Sequence, residues 1–258
     1  MPTAKTAPRK RRPRDSLSRA VILEAAETIA QRDGLEGLTF GALGTELQAH
    51  STSIYRHFRD KDELVLELID SLRARSYGSE LVSTGDWRED LRLISRLIHE
   101  HYLRYPGFAM QMAARTTRRP TEFKNVEFAL DAFRRAGLDD DEAVVATRVF
   151  GNFTRAVSAL EASLQVLPAE ERTMDELAWA VEYRQLSADD YPNIHRVADK
   201  LRPVGDPQLF FEGVEMLLES VEARITEKTA QSAQARKAAR SSKTAKTAKS
   251  ATTAKKSR

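Results

Sequence analysis

The chain contains no cysteine. That excludes disulfides, thiolate metal sites and a cysteine nucleophile, and it suits a reducing compartment. No apolar run approaches the ~18 residues that a membrane-spanning helix needs. The basic N-terminus leads into an amphipathic segment, so it does not read as a signal peptide. Strand-type alternation of any strength is also missing. These gaps predict a soluble, intracellular, all-α protein. Its 258 residues, 41% of them hydrophobic, suffice for one or two packed domains.

The net charge of +3 hides an uneven distribution. Residues 1–14 carry six cations and no acid, and residues 229–258 carry nine cations and no acid, which leaves the body between them at −12. An acidic body repels a polyanion over most of its surface. Nucleic-acid contact is therefore expected only at a local site and at the two basic tails.

Helical periodicity and capping residues divide the chain. Residues 1–15 form a Pro-, Lys- and Arg-rich arm without apolar spacing, expected to be disordered. A first helix opens at Ser18, buries Val21, Ile22, Ala25, Ala26 and Ile29, and stops at Gly34. A second follows Thr39 and turns Leu43 and Leu47 inward. A third runs roughly from Ser51 to Phe58, with Ile54 and Phe58 facing the core, and a fourth opens at Asp60 with Glu63 three residues on. Further helices follow Asp86 and Thr121. A long one follows Asp140, one is capped by Thr173 and Glu176, and a last one starts at Asp206-Pro207. The expected organisation is a helix-turn-helix domain over 16–70 and a larger helical bundle over 71–226. A disordered Lys/Ala-rich tail is expected over 227–258.

Residues 39–64, TFGALGTELQAHSTSIYRHFRDKDEL, carry the chemistry. Two short helices around a polar turn are how a helix-turn-helix presents a recognition helix to the major groove. The third helix is barely two turns long and is mostly polar, so the core needs little of it. Ser53, Arg56 and Thr52 are candidates for base edges, where an arginine pairs bidentate with guanine. Ser51 is a candidate for the helix cap beside them. Tyr55, His57 and Thr39 are candidates for phosphate. His57 is alternatively a satisfied packing residue.

The segment resembles the N-terminal domain of TetR-family transcriptional regulators. ILEAAETIAQRDGLEGLTF, SIYRHF and DKDEL carry the likeness, over about residues 18 to 66. The resemblance implies a homodimeric repressor on a pseudo-palindromic operator, with each subunit placing the third helix in a major groove. It also implies release by a small-molecule effector, and a phosphate contact for Lys61. One departure stands out. Where the family turn is usually Gly-Val-Ser, this chain has Gln48-Ala49-His50. Gln48 must then adopt a turn conformation that glycine takes without steric cost.

The arm residues Arg9, Lys10, Arg11, Arg12 and Arg14 sit directly before the first helix. They are placed either to enter the minor groove or to steer by charge alone. The tail TAKTAKSATTAKK resembles the tails of linker histones, and it serves either as salt-sensitive affinity or as a solubilising segment. Localisation is expected to be cytoplasmic and nucleoid-associated.

The C-terminal region, through DWREDL and DPQLFFEGVEMLLESVEAR, resembles more weakly the regulatory domain of the tetracycline-repressor branch. The resemblance implies that two late helices, about 140–166 and 207–226, pair with those of a second subunit. Phe153, Val157, Leu160, Phe210, Val214, Leu217 and Leu218 are dimer or core residues. A ligand pocket inside the bundle has as candidates His99, Tyr102, Met110, Met112, Phe128, Asn152, Trp179 and Tyr183, each also a plausible core residue. The stretches RSYGSEL and QMAART lack the histidines through which tetracycline sensors hold a magnesium chelate. The effector is therefore expected to be something other than tetracycline, and no cofactor or metal is expected.

Enzyme readings fail on spacing. His99 and His101 are two apart on a helix and point to different faces. Gly41-x-x-Gly44 follows no strand, so it is no phosphate loop. The competing function is an architectural nucleoid-type protein working through its tails, for which residues 39–64 would be superfluous.

Overall fold

The computed structural model describes residues 17–256. The basic-arm residues Arg9, Lys10, Arg11, Arg12 and Arg14 lie outside them. Among the described residues there are eleven α-helices, two 3-10 turns and no strand. The first four helices are α1 (Arg19–Gly37), α2 (Phe40–Leu47), α3 (Ser51–Ile54) and α4 (Lys61–Tyr77). The bundle adds α5 (Trp87–Arg104), α6 (Ala109–Ala113), α7 (Pro120–Ala136) and α8 (Asp140–Leu164). It is completed by α9 (Ala169–Ala180), α10 (Pro192–Val197) and α11 (Pro207–Lys256).

Most helix starts follow their caps. Ser18 accepts from the Val21 amide, Thr39 from Ala42, Asp60 from Glu63 and Asp86 from Arg88 and Glu89. Asp139 and Glu142 form a reciprocal capping box at α8. Some boundaries follow the expectation and others do not; α3 ends at Ile54 and not at Phe58. Gly34, at φ 70°, interrupts the helix at its expected stop, and a short second helical stretch then runs on to Gly37. The helix expected to be capped by Thr173 begins four residues earlier, at Ala169, and the Thr173 hydroxyl donates back to the Ala169 carbonyl. A further difference concerns the tail expected to be disordered from 227, because α11 continues unbroken to Lys256. That stretch holds neither glycine nor proline and is rich in alanine and lysine, which are strong helix formers.

One continuous core joins the two parts. Ile22, Ala26, Ile29, Leu43 and Ile54 pack on Leu64 and Leu68 of α4. The opposite side of α4 meets α5 and α7. The bundle centres on α8, which packs against α5, α6, α7 and α11. Asp90 of α5 is fully buried, yet it is satisfied by Ser83 Oγ at 2.5 Å, the Thr84 amide at 2.7 Å, Thr84 Oγ1 at 2.8 Å and Arg135 at 2.5 Å. Four partners offset the cost of removing that carboxylate from water. No helix among the described residues is long and apolar enough to cross a membrane.

Candidate nucleic-acid interface and bundle cavity

A four-residue helix does not hold itself in water. Ile54 and Phe58, 0% and 1% exposed, pin α3 to the core. Each contributes roughly 1.5–3 kcal/mol of apolar burial. Helical hydrogen bonding extends past α3, since the Tyr55 amide reaches Ser51 O and the Phe58 amide reaches Ile54 O. With those two residues inside, Thr52, Tyr55 and Arg56 are left on the solvent side. The Tyr55 ring meets Phe40 edge-on at 4.5 Å between centroids and stays 58% exposed. That contact fixes the ring while leaving it available. Ser51, Ser53, His57 and Lys61 are half-buried and Thr39 is exposed. The Lys61 ammonium donates to Glu36 O at 3.4 Å, which ties α4 to the C-terminal end of α1.

The turn takes the conformation that the sequence makes difficult. Gln48 sits at φ 50°, ψ 39°, in the left-handed region, and its amide bonds back to Gly44 O and Thr45 O. For a residue with a Cβ this costs ~1–2 kcal/mol. Gly44 is required for a different reason: a Cβ there would stand 2.9 Å from the Ala49 carbonyl oxygen. His50 occupies the cap position of α3 without a side-chain cap bond, and its Nδ1 lies 3.0 Å from Thr52 Oγ1. Ser51, a candidate for that cap, is instead the first helical residue.

Arg19 is the organiser that sequence reading missed. Its guanidinium lies 4.2 Å over the Phe58 ring and donates to Glu67 at 2.9 Å, to Glu63 at 3.1 Å and to the His57 carbonyl. The Glu67 and Glu63 carboxylates hold it further toward its charged form, and Arg19 in turn holds the end of the recognition segment against α4. Thus the His57 backbone is structural, whatever its imidazole does. The visible signal in the sequence was only a helix-opening arginine with two acids spaced four apart in α4.

A cavity of about 220 Å³ lies between α4, α5, α7 and α8. Ile94, Ile98, Ala129 and Phe150 give it apolar walls, and Arg73, Tyr77, Tyr102 and Asn125 are among its polar groups. Burial pushes the Tyr77 hydroxyl up to about 12, so it is a neutral donor and acceptor. Asn125 Nδ2 donates to it at 2.9 Å. Of the eight pocket candidates only Tyr102 lines this cavity. Trp179 lines a separate, 600 Å³ space by α9 and stacks on Tyr183 at 4.5 Å. Met112 is core at 0% exposure, Met110 is 52% exposed, Phe128 packs against the core and Asn152 is exposed.

The two histidines face opposite sides of α5. His99 stacks on Phe210 at 4.2 Å and its Nε2 lies 3.3 Å from Glu161. Burial lowers the affinity of His99 for a second proton and raises that of Glu161 for its proton. His101 pairs through Nδ1 with Ser76 Oγ at 2.9 Å, and burial beside Arg73 and Arg104 holds its pKa down to about 3. Among the described residues no group of three or more His, Asp and Glu side chains is arranged to hold a metal ion.

The seven dimer-or-core residues divide. Phe210, Val214 and Leu218 are buried within the subunit at 0, 2 and 0%. Phe153, Val157 and Leu217 are half-buried, and Leu160 is 44% exposed. Further apolar residues stand out on the same helices, including Val145, Val149 and Met216 at 58, 50 and 70% exposed.

A helix-turn-helix with a bare polar face, built on a cavity-bearing helical bundle, defines the class of protein. Comparison with known proteins makes it specific. The model for bacterial regulatory proteins of the tetR family matches residues 22–68, and that for the tetracyclin repressor-like C-terminal domain matches residues 81–225. The HTH-type transcriptional repressor DrrR1 of Streptomyces coeruleorubidus is 27% identical over 229 residues, covering 86% of this chain and 83% of that protein. Tetracycline repressor protein class D of Escherichia coli is 24% identical over 214 residues, covering 81% of this chain and 91% of that protein. The Streptomyces coelicolor TetR family protein ActR in complex with actinorhodin shares the fold with a TM-score of 0.68 at 23% identity, covering 81% of this chain and 97% of that one. The chain belongs to the TetR family and is a DNA-binding transcriptional regulator.

Proposed function

We propose that the protein is a homodimeric repressor that binds a pseudo-palindromic operator through α3 and leaves it when a small molecule enters the bundle cavity. Thr52, Tyr55 and Arg56 read or grip the groove, Ser51 and Ser53 flank them, and Thr39, His57 and Lys61 reach phosphate. One observation carries the reading. The helix that backs α3, α4, also forms a wall of the cavity through Arg73 and Tyr77. A ligand that draws on those side chains acts on the helix to which Arg19 ties the recognition segment.

Two similarities support it. DrrR1 is named a repressor, and ActR is described in complex with small molecules. The exposed apolar residues of α8 and α11 favour the reading, because a two-fold dimer through these helices would cover them. Such a dimer presents two α3 elements for half-sites about 34 Å apart.

Genome-wide mapping of bound sites tests the proposal. The expected result is one shared palindrome, lost with Arg56→Ala or Tyr55→Ala. Diffuse binding without a palindrome, abolished by deleting residues 229–258, would favour a tail-driven architectural protein.

A further inference from the structure

Resting on the ligand-responsive reading, we infer that the effector is a carboxylic acid with an apolar body and a hydroxyl donor, and that Arg73 is the residue that selects the acid. Arg73 is 4% exposed and, among the described residues, makes no ion pair. Glu122 acts on the guanidinium only from beyond ion-pair distance, so an arriving carboxylate adds the direct charge-assisted pair that this nearly dry cation lacks. The Tyr102 hydroxyl lies beside the guanidinium and helps to hold its charge, while its own proton has no acceptor and can be donated to the same carboxylate.

The surrounding charge has the same sign. Arg148 and Arg155 also line the cavity, against one acid, Glu122. That acid already accepts from Thr117 Oγ1 at 2.8 Å and from the Arg118 amide at 2.7 Å. Arg155 is partly satisfied by Gly151 O at 3.1 Å and Asn152 Oδ1 at 2.9 Å, while the cavity as a whole keeps a cationic surplus. Asn125 Oδ1 and Thr147 Oγ1 are buried without partners. Asn125 has spent its amide nitrogen on Tyr77, so its oxygen asks for a donor. The site therefore combines donors, Arg73 above all, with unpartnered acceptors among the apolar walls of Ile94, Ile98, Ala129 and Phe150. An acid that also carries a hydroxyl fits that polarity, and a cation does not.

Calorimetric titration of the full chain with 6-hydroxy-2-naphthoic acid and with its neutral carboxamide tests the inference. The acid is expected to bind roughly tenfold or more tightly than the amide. Arg73→Met is expected to remove that preference, and Arg73→Lys to keep part of it. Equal affinities for acid and amide, no binding of the acid up to millimolar concentration, or a folded Arg73→Met protein that retains the preference would overturn it. Should Arg73→Met fail to fold, the acid–amide comparison on the unaltered chain still decides. Binding of the acid without release of operator DNA would contradict the repressor reading and leave this inference standing. Operator binding with no response to the acid would do the reverse.

Discussion

At the N-terminal end of α4, Arg19 is a cation among carboxylates. Toward the other end, Arg73 is a cation among tyrosines and hydrocarbon. Arg19 is partly in water, stacks on Phe58 and contacts Glu63 and Glu67. Arg73 is nearly sealed off and unpaired among the described residues. The first arrangement lowers the energy of the protein as it stands. The second leaves a group whose partner is still to come. A single helix thus carries a finished contact at the α3 end and an unfinished one at the cavity, and in the proposed function that difference is what would let a ligand act on α3.

The largest way to break this contrast is to remove the platform under Arg19. Phe58→Ala empties a fully buried site and strips the ring from the guanidinium, so denaturant unfolding is expected to show a loss of about 3–5 kcal/mol. The two arginines themselves come next, with opposite signs. Arg73→Met relieves a desolvated charge and is expected to stabilise the ligand-free protein by about 1–3 kcal/mol. Arg19→Met breaks charged hydrogen bonds at a half-exposed site and is expected to cost about 1–2 kcal/mol. Should both move stability in the same direction, the contrast between the two ends of α4 would be wrong.

Acidification separates the ends further. The folded pKa of His101 lies near 3, below its ordinary value of 6.5, because burial and two arginines oppose its charge. The unfolded chain therefore takes up the proton first. Stability is full above pH ~6.5 and falls below it, by about 1.4 kcal/mol per pH unit for each such histidine, until the folded group also titrates. His99 shifts in the same direction. Thermal melts between pH 7 and 5 are expected to decline accordingly, and His101→Gln is expected to flatten part of that slope. The smallest expected effect lies in the turn. Gln48→Gly removes the left-handed strain and is expected to add about 0.5–1 kcal/mol, with operator binding unchanged.

The recognition segment was legible because its signals are local. Ser18, Thr39 and Asp60 cap where capping chemistry places them, and the spacing of Ile54 and Phe58 decides which residues face out. Gln48 could be read as a strained substitute because only one backbone conformation closes that turn. The cavity was not legible in the same way. Periodicity shows that Tyr102 and Met112 point inward, but it does not show that one meets a void and the other meets packed neighbours. Arg73 left a trace, since it lies four residues after Ile69 and four before Tyr77 on an otherwise buried face. The end of α11 followed helix propensity where composition and charge suggested disorder.

The central claim is that DNA is read by α3 and not by the tails. Fluorescence anisotropy with the mapped operator, titrated with the unaltered chain and with Arg56→Ala, tests it most directly. The account predicts a loss of about 1–3 kcal/mol in operator binding for Arg56→Ala, with affinity for unrelated DNA little changed. Equal operator affinity for the two proteins would contradict it.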